Sequence, residues 1–276
     1  MTPMIGRIEP PDLHVMTYNI RRRVVFDPRR ADRWDARRNP LRTLLTAEAP
    51  AVLGVQEAMP DQAEFVHSSL GKRYRSVGRG RDRDGGGEAC PLFYDEERLE
   101  LVDSTQSALS EHPDVAGSRS WGSAFPRIVV TASFFDRATS TRFVVLNTHL
   151  DPFSARARVR SSEMVRDLAA AAAHPTLVLG DLNAAPDSPA VRALLAGDSL
   201  RDAWAAADTR VTPEWGTFAN YRPPRAGSGR IDWIAVSNGV RVKRVGVNAS
   251  AVEGNWPSDH LPVQAVLRLS DESSTR

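Results

Sequence analysis

Cysteine is almost missing from this chain. Its 276 residues include one, Cys90, so no internal disulfide can form and no thiolate zinc cluster can be built. Long apolar runs are missing as well. No stretch of 18 apolar residues occurs, which excludes a membrane-spanning helix. The first residues, MTPMIGRIEPPDLHV, lack the apolar centre of a secretory signal, so a bacterial-type cytoplasm is the expected compartment. Lysine is scarce: only Lys72 and Lys243 occur, and the other 34 of the 36 basic residues are arginine. A GC-rich coding bias explains that total. Phosphate recognition would also favour arginine, because the guanidinium fork matches phosphate oxygens. Only the placement of the arginines can separate the two.

What is present reads as a globular α/β chain. The composition is 41% apolar and 25% charged, with a formal net charge of +2, which is ordinary for a folded domain. The length allows two domains, but single domains of ~250 residues are common. Runs rich in Val, Ile, Leu and Phe at 14–20, 51–55, 89–94, 127–135, 142–150, 176–179, 231–237 and 261–269 predict strands. Amphipathic segments at 34–48, 61–70, 155–173 and 188–195 predict helices. Gly-, Pro-, Ser- or charge-rich loops fall at 79–87, 111–123 and 220–229, and none has the character of a linker. The expectation is one domain over 12–269, with two packed sheets, helices outside, and flexible ends at 1–11 and 270–276.

Polar residues stand where several of these strands meet a loop: Asn19, Glu57, His149, Asp151, Asp181, Asn183, Asp232, Asp259 and His260. A strand end holds a side chain rigidly while the loop exposes it. Singly, each has an ordinary explanation as a turn, a cap or a satisfied core group. His14, His67, His112 and His174 keep that explanation, having no acidic strand-end company. Together the nine form a different pattern. Asn, Glu and Asp offer hard oxygen ligands, suited to Mg²⁺ or Mn²⁺ rather than zinc. Two histidines and further carboxylates supply proton transfer. Metal-assisted phosphoester hydrolysis needs this combination.

The segments MTYNIR, GVQEA, GGEACPLFYDEERLE, FPRIVV, NTHLD, GDLNAAPDSPA, RIDWIAVS and PSDHLPV, in this order, resemble the endonuclease/exonuclease/phosphatase superfamily, whose members are DNase I-like. The resemblance runs from Met16 to Leu267. It implies a four-layer αββα sandwich of two mixed sheets with an open site at one edge. It also implies roles for individual residues. Glu57 is the principal metal ligand, with Asn19 and Asp259 nearby, partly through water. His149 contacts the scissile phosphate, and Glu88 orients it. Arg127 and Asn183 bind phosphate oxygens, Asn183 alternatively the attacking water. Asp232 pairs with His260, fixing its tautomer and raising its basicity.

Two assignments of the base remain. His260, paired with Asp232, is the favoured base, with Asp181 orienting the water. In the alternative, a protonated His260 stabilises the phosphorane and Asp181 is the base, which requires its pKa to lie far above ~3.9.

Arginines cluster beside the candidate residues: Arg21, Arg22, Arg23, Arg29 and Arg30 after Asn19; Arg79, Arg81 and Arg83 before Glu88; Arg156, Arg158 and Arg160 after His149. They form either a positive rim for a polyanion or solvated faces, partly cancelled by Asp27, Asp32, Asp82 and Asp84. A nucleic-acid enzyme needs a longer basic track and stacking aromatics. Only Phe26, Trp121, Phe153 and Trp215 sit in suitable loops. No apolar hairpin for a lipid surface is evident. The expected substrate is therefore a small or medium phosphorylated compound, cleaved by a monomer. A DNA or RNA nuclease comes second, and a non-catalytic binding scaffold third.

Overall fold

The computed structural model describes residues 1–227 and 229–270. Two mixed sheets pack face to face. The first takes β1 (Asp12–Asn19), β2 (Val52–Gln56), β3 (Tyr74–Val77), β4 (Leu92–Asp95), β10 (Thr209–Arg210), β12 (Val240–Val247) and β13 (Val263–Leu269), in the order β10-β12-β13-β1-β2-β4-β3. The second takes β5 (Leu99–Ala108), β6 (Ile128–Asp136), β7 (Thr141–His149), β8 (Thr176–Asp181), β9 (Leu200–Asp202) and β11 (Asp232–Ser237), in the order β5-β6-β7-β8-β11-β9. Helices α1 (Trp34–Glu48) and α2 (Pro60–Leu70) cover the outside of the first sheet. Helices α3 (Ala155–Ala171) and α4 (Pro189–Leu194) cover the second. A single helical turn, α5 (Ala203–Ala206), follows β9. This is the expected four-layer sandwich.

The period of 2 along a strand sorts the side chains into layers. On β1, Leu13 and Val15 face the core between the sheets, whereas Met16 and Tyr18 face the helices. On β7, Phe143 and Val145 face inward and Val144 and Leu146 outward. On β8, Leu177 and Leu179 face inward and Val178 outward; on β11, Ile234 and Val236 face inward and Trp233 and Ala235 outward. The outer helices follow the same logic with their own period. On α1, Arg37, Leu41, Leu44, Leu45 and Glu48 form one buried stripe, as i, i+4, i+7, i+8 spacing requires. Ser154 caps α3 through Ala157 N and Ser188 caps α4 through Val191 N, each satisfying a free amide of the first turn.

A polar tie crosses the core just below the site. Asn147 Nδ2 on β7 donates to Val55 O, and Asn147 Oδ1 accepts from Gln56 Nε2 at 2.7 Å. The sheets approach closely here: a Cβ on Gly54 would lie 2.8 Å from Asn147 Oδ1, so only glycine fits. Gly180, in the GDLN segment, is fixed likewise, because its Cβ would lie 2.4 Å from Thr148 O.

Strands β3, β5, β9, β10 and β12 were not among the expected ones. Strand β5 is an edge strand with its middle exposed, and β12 carries Arg241, Lys243 and Arg244 among its valines. A strand that shows one face to water needs no continuous apolar run. The first residues also make specific contacts. Glu48, fully buried, accepts from Met4 N (2.7 Å), Ile5 N (3.2 Å), Gly6 N (3.0 Å) and Asn248 Nδ2 (2.8 Å). At the other end Ser270 N donates to Gly239 O. The rest of the expected flexible tail, 271–276, lies outside the described residues.

Candidate active site

Register and parity together bring the strand-end residues to one place. His149 pairs across the ladder with Asp181, and Asp181 with Asp232, so three neighbouring strands present them side by side. All three share the inward parity of Phe143, Leu177 and Ile234. Across the gap, Asn19 continues the inward parity of Val15. The second sheet thus contributes His149, Asp181 and Asp232, and the first contributes Asn19, Glu57, Asp259 and His260 from the ends of β1, β2 and the lead-in to β13.

The contacts are close. Asn19 Nδ2 donates to Asp181 Oδ2 (2.9 Å) and Glu57 Oε1 (3.0 Å), bridging the two sheets. Asp181 Oδ1 accepts from Asn183 N at 2.8 Å, and Asn183 Nδ2 reaches His149 Nε2 at 3.0 Å. His260 Nδ1 meets Asp232 Oδ2 at 2.9 Å. Arg37, buried on α1, donates to Ile20 O, Arg21 O and Pro257 O, binding the loop after β1 to the loop before His260. The non-glycine residues Arg21, Glu57 and Asn183 all have positive φ, at 53°, 62° and 47°. Such backbone strain persists only where surrounding contacts over-determine it. A cavity of about 520 Å³ opens over these groups; Glu57, His149, Asp181, Asn183, Asp259 and His260 line it, with Glu88 and Arg127.

Burial and charge set the proton positions. Burial pushes Asp181 up to about 7, and the Asp232 carboxylate adds to it. Burial opposes charge on His260, but Asp232 and Asp181 outweigh it and hold its pKa well above the ordinary histidine value. Burial, together with the charges on Arg127, His260 and Arg81, holds His149 well below that value. At neutral pH, His260 is therefore an imidazolium and His149 is neutral. These directions accord with the alternative assignment, in which a protonated His260 stabilises the phosphorane and Asp181 is the base.

The metal side fits a hard cation. Burial works against ionised Glu57, yet the hydrogen bonds from Arg22 N and Asn19 prevail and keep its pKa below the usual value. Asp259 reaches the cavity wall with one oxygen on Arg21 Nη1 at 2.9 Å. Anionic oxygens suit Mg²⁺ or Mn²⁺. Burial pushes the neighbouring Cys90 thiol up to about 12, so no thiolate competes. Asn19 Oδ1 accepts from Arg21 N and its Nδ2 faces Glu57, so its amide also braces the loop after β1. Asp181, Asp232 and His260 also bring ligating atoms within 4.8 Å of one another. That closeness follows from the His260–Asp232 hydrogen bond, with Asp232 fully buried behind the ring.

Glu88 was expected to orient His149; it lines the cavity with His149, and its carboxylate is taken by arginines. It accepts from Arg81 Nη1 (2.8 Å) and Nη2 (3.0 Å) and from Arg22 Nη1 (2.7 Å). Two guanidinium groups outcompete a neutral imidazole for one carboxylate. His149 Nδ1 is left buried without a hydrogen-bond partner among the described residues, and so is Arg127 Nε. The positive rim is also partly neutralised. Arg21, Arg22, Arg23, Arg29, Arg81 and Arg160 are each in an ion pair. Arg127 differs: it is 5% exposed, and its closest carboxylate, Asp151, is 3.9 Å away.

The family profile described as Endonuclease/Exonuclease/phosphatase family matches residues 16–260. The chain belongs to the endonuclease/exonuclease/phosphatase family. Among solved structures, a family protein from Bacteroides thetaiotaomicron is 30% identical, with a TM-score of 0.87 over 94% of this chain and 98% of that one. A mannosyl-6-phosphatase from Bacteroides thetaiotaomicron VPI-5482 is also 30% identical, with a TM-score of 0.84 over 92% of this chain and 99% of that one. The human nocturnin catalytic domain, with a bound sulfate, shares the fold at 19% identity, with a TM-score of 0.72 over 94% and 95% of the two chains. No curated protein matches the sequence.

In this family member exposed apolar side chains line the cavity beside Arg22. Val24, Phe125, Phe153 and Phe218 line it and are 39%, 38%, 74% and 52% exposed. Of the aromatics singled out in the sequence, Phe153 is among them. Trp215 packs against the core instead, and Trp121 donates to Glu111 and lies against Arg160. Phe26, also singled out, forms an exposed apolar tip with Val24 and Val25, which were not; it is an irregular loop, not a hairpin. No helix among the described residues is long and apolar enough to cross a membrane.

Proposed function

We propose that this protein is a divalent-metal-dependent phosphoester hydrolase acting on a small or medium phosphorylated compound. One observation carries the reading. A buried guanidinium, Arg127, whose Nε makes no hydrogen bond and whose nearest carboxylate, Asp151, is 3.9 Å away, stands beside neutral His149 and Asn183 in a cavity that also presents Asp181. A buried arginine charge is costly unless it is closely paired and hydrogen-bonded, and a phosphate supplies an anion that would complete that pairing. The 30%-identical mannosyl-6-phosphatase supports a phosphomonoester as the substrate.

In this reading Arg127, His149 and Asn183 hold the phosphate oxygens. Asp181, ionised above its raised pKa, takes a proton from water as the water oxygen bonds to phosphorus. The bond from phosphorus to the leaving oxygen breaks, solvent in the open cavity protonates that oxygen and later takes the proton from Asp181, and the products are phosphate and an alcohol. The His260 imidazolium, held by Asp232, stabilises the added negative charge. Asn19 keeps Asp181 and Glu57 in register across the sheet gap. A hard divalent cation held by Glu57 and Asp259 would offset phosphate charge.

The test is turnover of a phosphomonoester panel, plasmid DNA and RNA with Mg²⁺, Mn²⁺ or EDTA. Cleavage of a monoester that EDTA abolishes and either cation restores is expected, with Glu57→Gln weakening cation binding. Full activity in EDTA refutes the metal. Plasmid nicking with steep salt loss replaces the small substrate with nucleic acid. No cleavage of any ester leaves a binding scaffold.

A further inference from the structure

Asp232 and His260 belong to different sheets. Asp232 opens β11 in the second sheet, and His260 leads into β13 in the first. No strand pairing therefore sets the 2.9 Å between His260 Nδ1 and Asp232 Oδ2. Something else must hold the two backbones at that separation.

Strand β9 covers the side of β11 away from β8 only from Ala235 to Ser237. At the Asp232 end the loop after β10 takes over. Thr217, fully buried, accepts from Ile231 N (2.9 Å) and Asp232 N (3.1 Å) through its Oγ1. Its carbonyl accepts from Leu261 N at 2.7 Å. The next residue, Phe218, bridges antiparallel to His260, and Asn220 N donates to Asp259 O at 2.8 Å. One residue thus grips the amide of Asp232 with its side chain and the amide after His260 with its backbone. Its own loop is closed by Gly216 N to Arg225 O (3.0 Å), and Trp215 packs against the core.

A buried threonine often serves only to fill space. Here two amides converge on one hydroxyl oxygen, which uses both of its acceptor lone pairs. Valine would fill the same space and leave two buried donors unmade. The consequence reaches the cavity through His260. Its Nδ1 is held by Asp232, so the place of Asp232 decides where Nε2 points. Nε2 lies 3.8 Å from Asp181 Oδ2, on the side where charge develops. A donor supports developing charge only when it is aimed before the reaction begins.

We propose that Thr217 is a positioning residue for the Asp232–His260 pair. It does not line the cavity and has no part in bond breaking. The rate consequence rests on the hydrolase reading above; the effect on the pair rests on the geometry alone.

The test compares Thr217→Val, which keeps the shape and removes the oxygen, with Thr217→Ser, which keeps the oxygen. The proton between His260 Nδ1 and Asp232 should give a low-field proton resonance, assigned by its loss in His260→Ala. In Thr217→Val that resonance should move upfield or broaden by exchange with water, and in Thr217→Ser it should stay. With Mg²⁺ and a phosphomonoester, kcat should fall ~10–100-fold in Thr217→Val. KM should stay within about twofold, because the imidazolium acts in the transition state. Thr217→Ser should restore most of the rate. A threonine that only supported the fold would lower the melting midpoint and leave the resonance unmoved. An unchanged resonance in folded Thr217→Val overturns the proposal, and so does loss of the resonance in Thr217→Ser. A rise in KM with kcat unchanged would place Thr217 in substrate binding and also overturn it. Should Thr217→Val fail to fold, the same outcomes are read from Thr217→Cys, whose sulfur is a weaker acceptor. A resonance lost in Thr217→Val and kept in Thr217→Ser, in a protein that turns over no ester, upholds the positioning role and refutes only the hydrolase.

Discussion

Replacing Asp232 by asparagine tests which group takes the proton from water. If Asp181 is the base, kcat requires its ionised form. Its pKa of about 7 then places an acid limb near neutrality. Below that limb each pH unit costs a factor of ten, so at pH 5 kcat falls to ~1% of its plateau. The raised value comes from burial and from the Asp232 charge, whose oxygen lies within 4.8 Å. At an effective dielectric of ~20, a unit charge at that distance is worth ~3 kcal/mol. Part of this is returned when His260, losing its carboxylate, holds its own proton less tightly. The net expectation for Asp232→Asn is a limb moved to lower pH by about one to two units. The assay is kcat against pH from 4.5 to 9 at saturating substrate and Mg²⁺, for both proteins. If His260 were the base, its pKa well above the usual value would make kcat climb far past neutrality. An activity still rising steeply at pH 8.5, or a limb indifferent to Asp232→Asn, would refute the assignment.

Three further outcomes follow from residues already described. Arg127→Met should lower kcat/KM by ~10² or more, yet raise the denaturation midpoint, because it removes a buried charge whose nearest carboxylate lies 3.9 Å away without a hydrogen bond; a fall in both would mean the guanidinium is structural. Asn147→Leu should cost ~2–4 kcal/mol in urea unfolding, since it removes the shortest bond of Gln56 Nε2 and the amide that donates to the Val55 and Cys90 carbonyls in the core. His14, buried on β1 with its pKa pushed down to about 4, stays neutral in the folded chain while the unfolded chain binds the proton. Its contribution is intact above pH 6.5 and is lost as pH falls towards 4, by up to ~3 kcal/mol. His14→Gln should flatten that part of the stability–pH curve relative to wild type, and parallel curves would contradict it.

The motif residues were readable because each stands at the end of an apolar run, where a polar side chain is conspicuous. GDLN and NTHLD carried their parity with them: counting by twos from Leu177 or Phe143 lands on Asp181 and His149. The edge strand β5 was not readable, because a half-solvated strand carries no apolar run. Nor was the partner of Glu88. Sequence distance does not show that Arg81 and Arg22 fold onto the same carboxylate and take it from His149. The pairing of the rim arginines was partly visible in the interleaved Asp27 and Asp32. Phe125 and Phe218 left only a weak trace, as large apolar residues inside loops that had no need of them.

The reacting groups ride on two separate sheets, and the packed side chains between those sheets fix the distance from Glu57 to His149. The thickness of the core is therefore a catalytic dimension. Val15, Val145 and Leu179 are spacers as much as they are ballast. A larger residue at one of them would splay the sheets by a fraction of an ångström before it unfolded anything. Because a 1 Å misplacement can cost ~10² in rate, turnover would register a change of core volume that a melting curve barely records. In a molecule built this way, tolerance to substitution is set by the ruler and not by the glue.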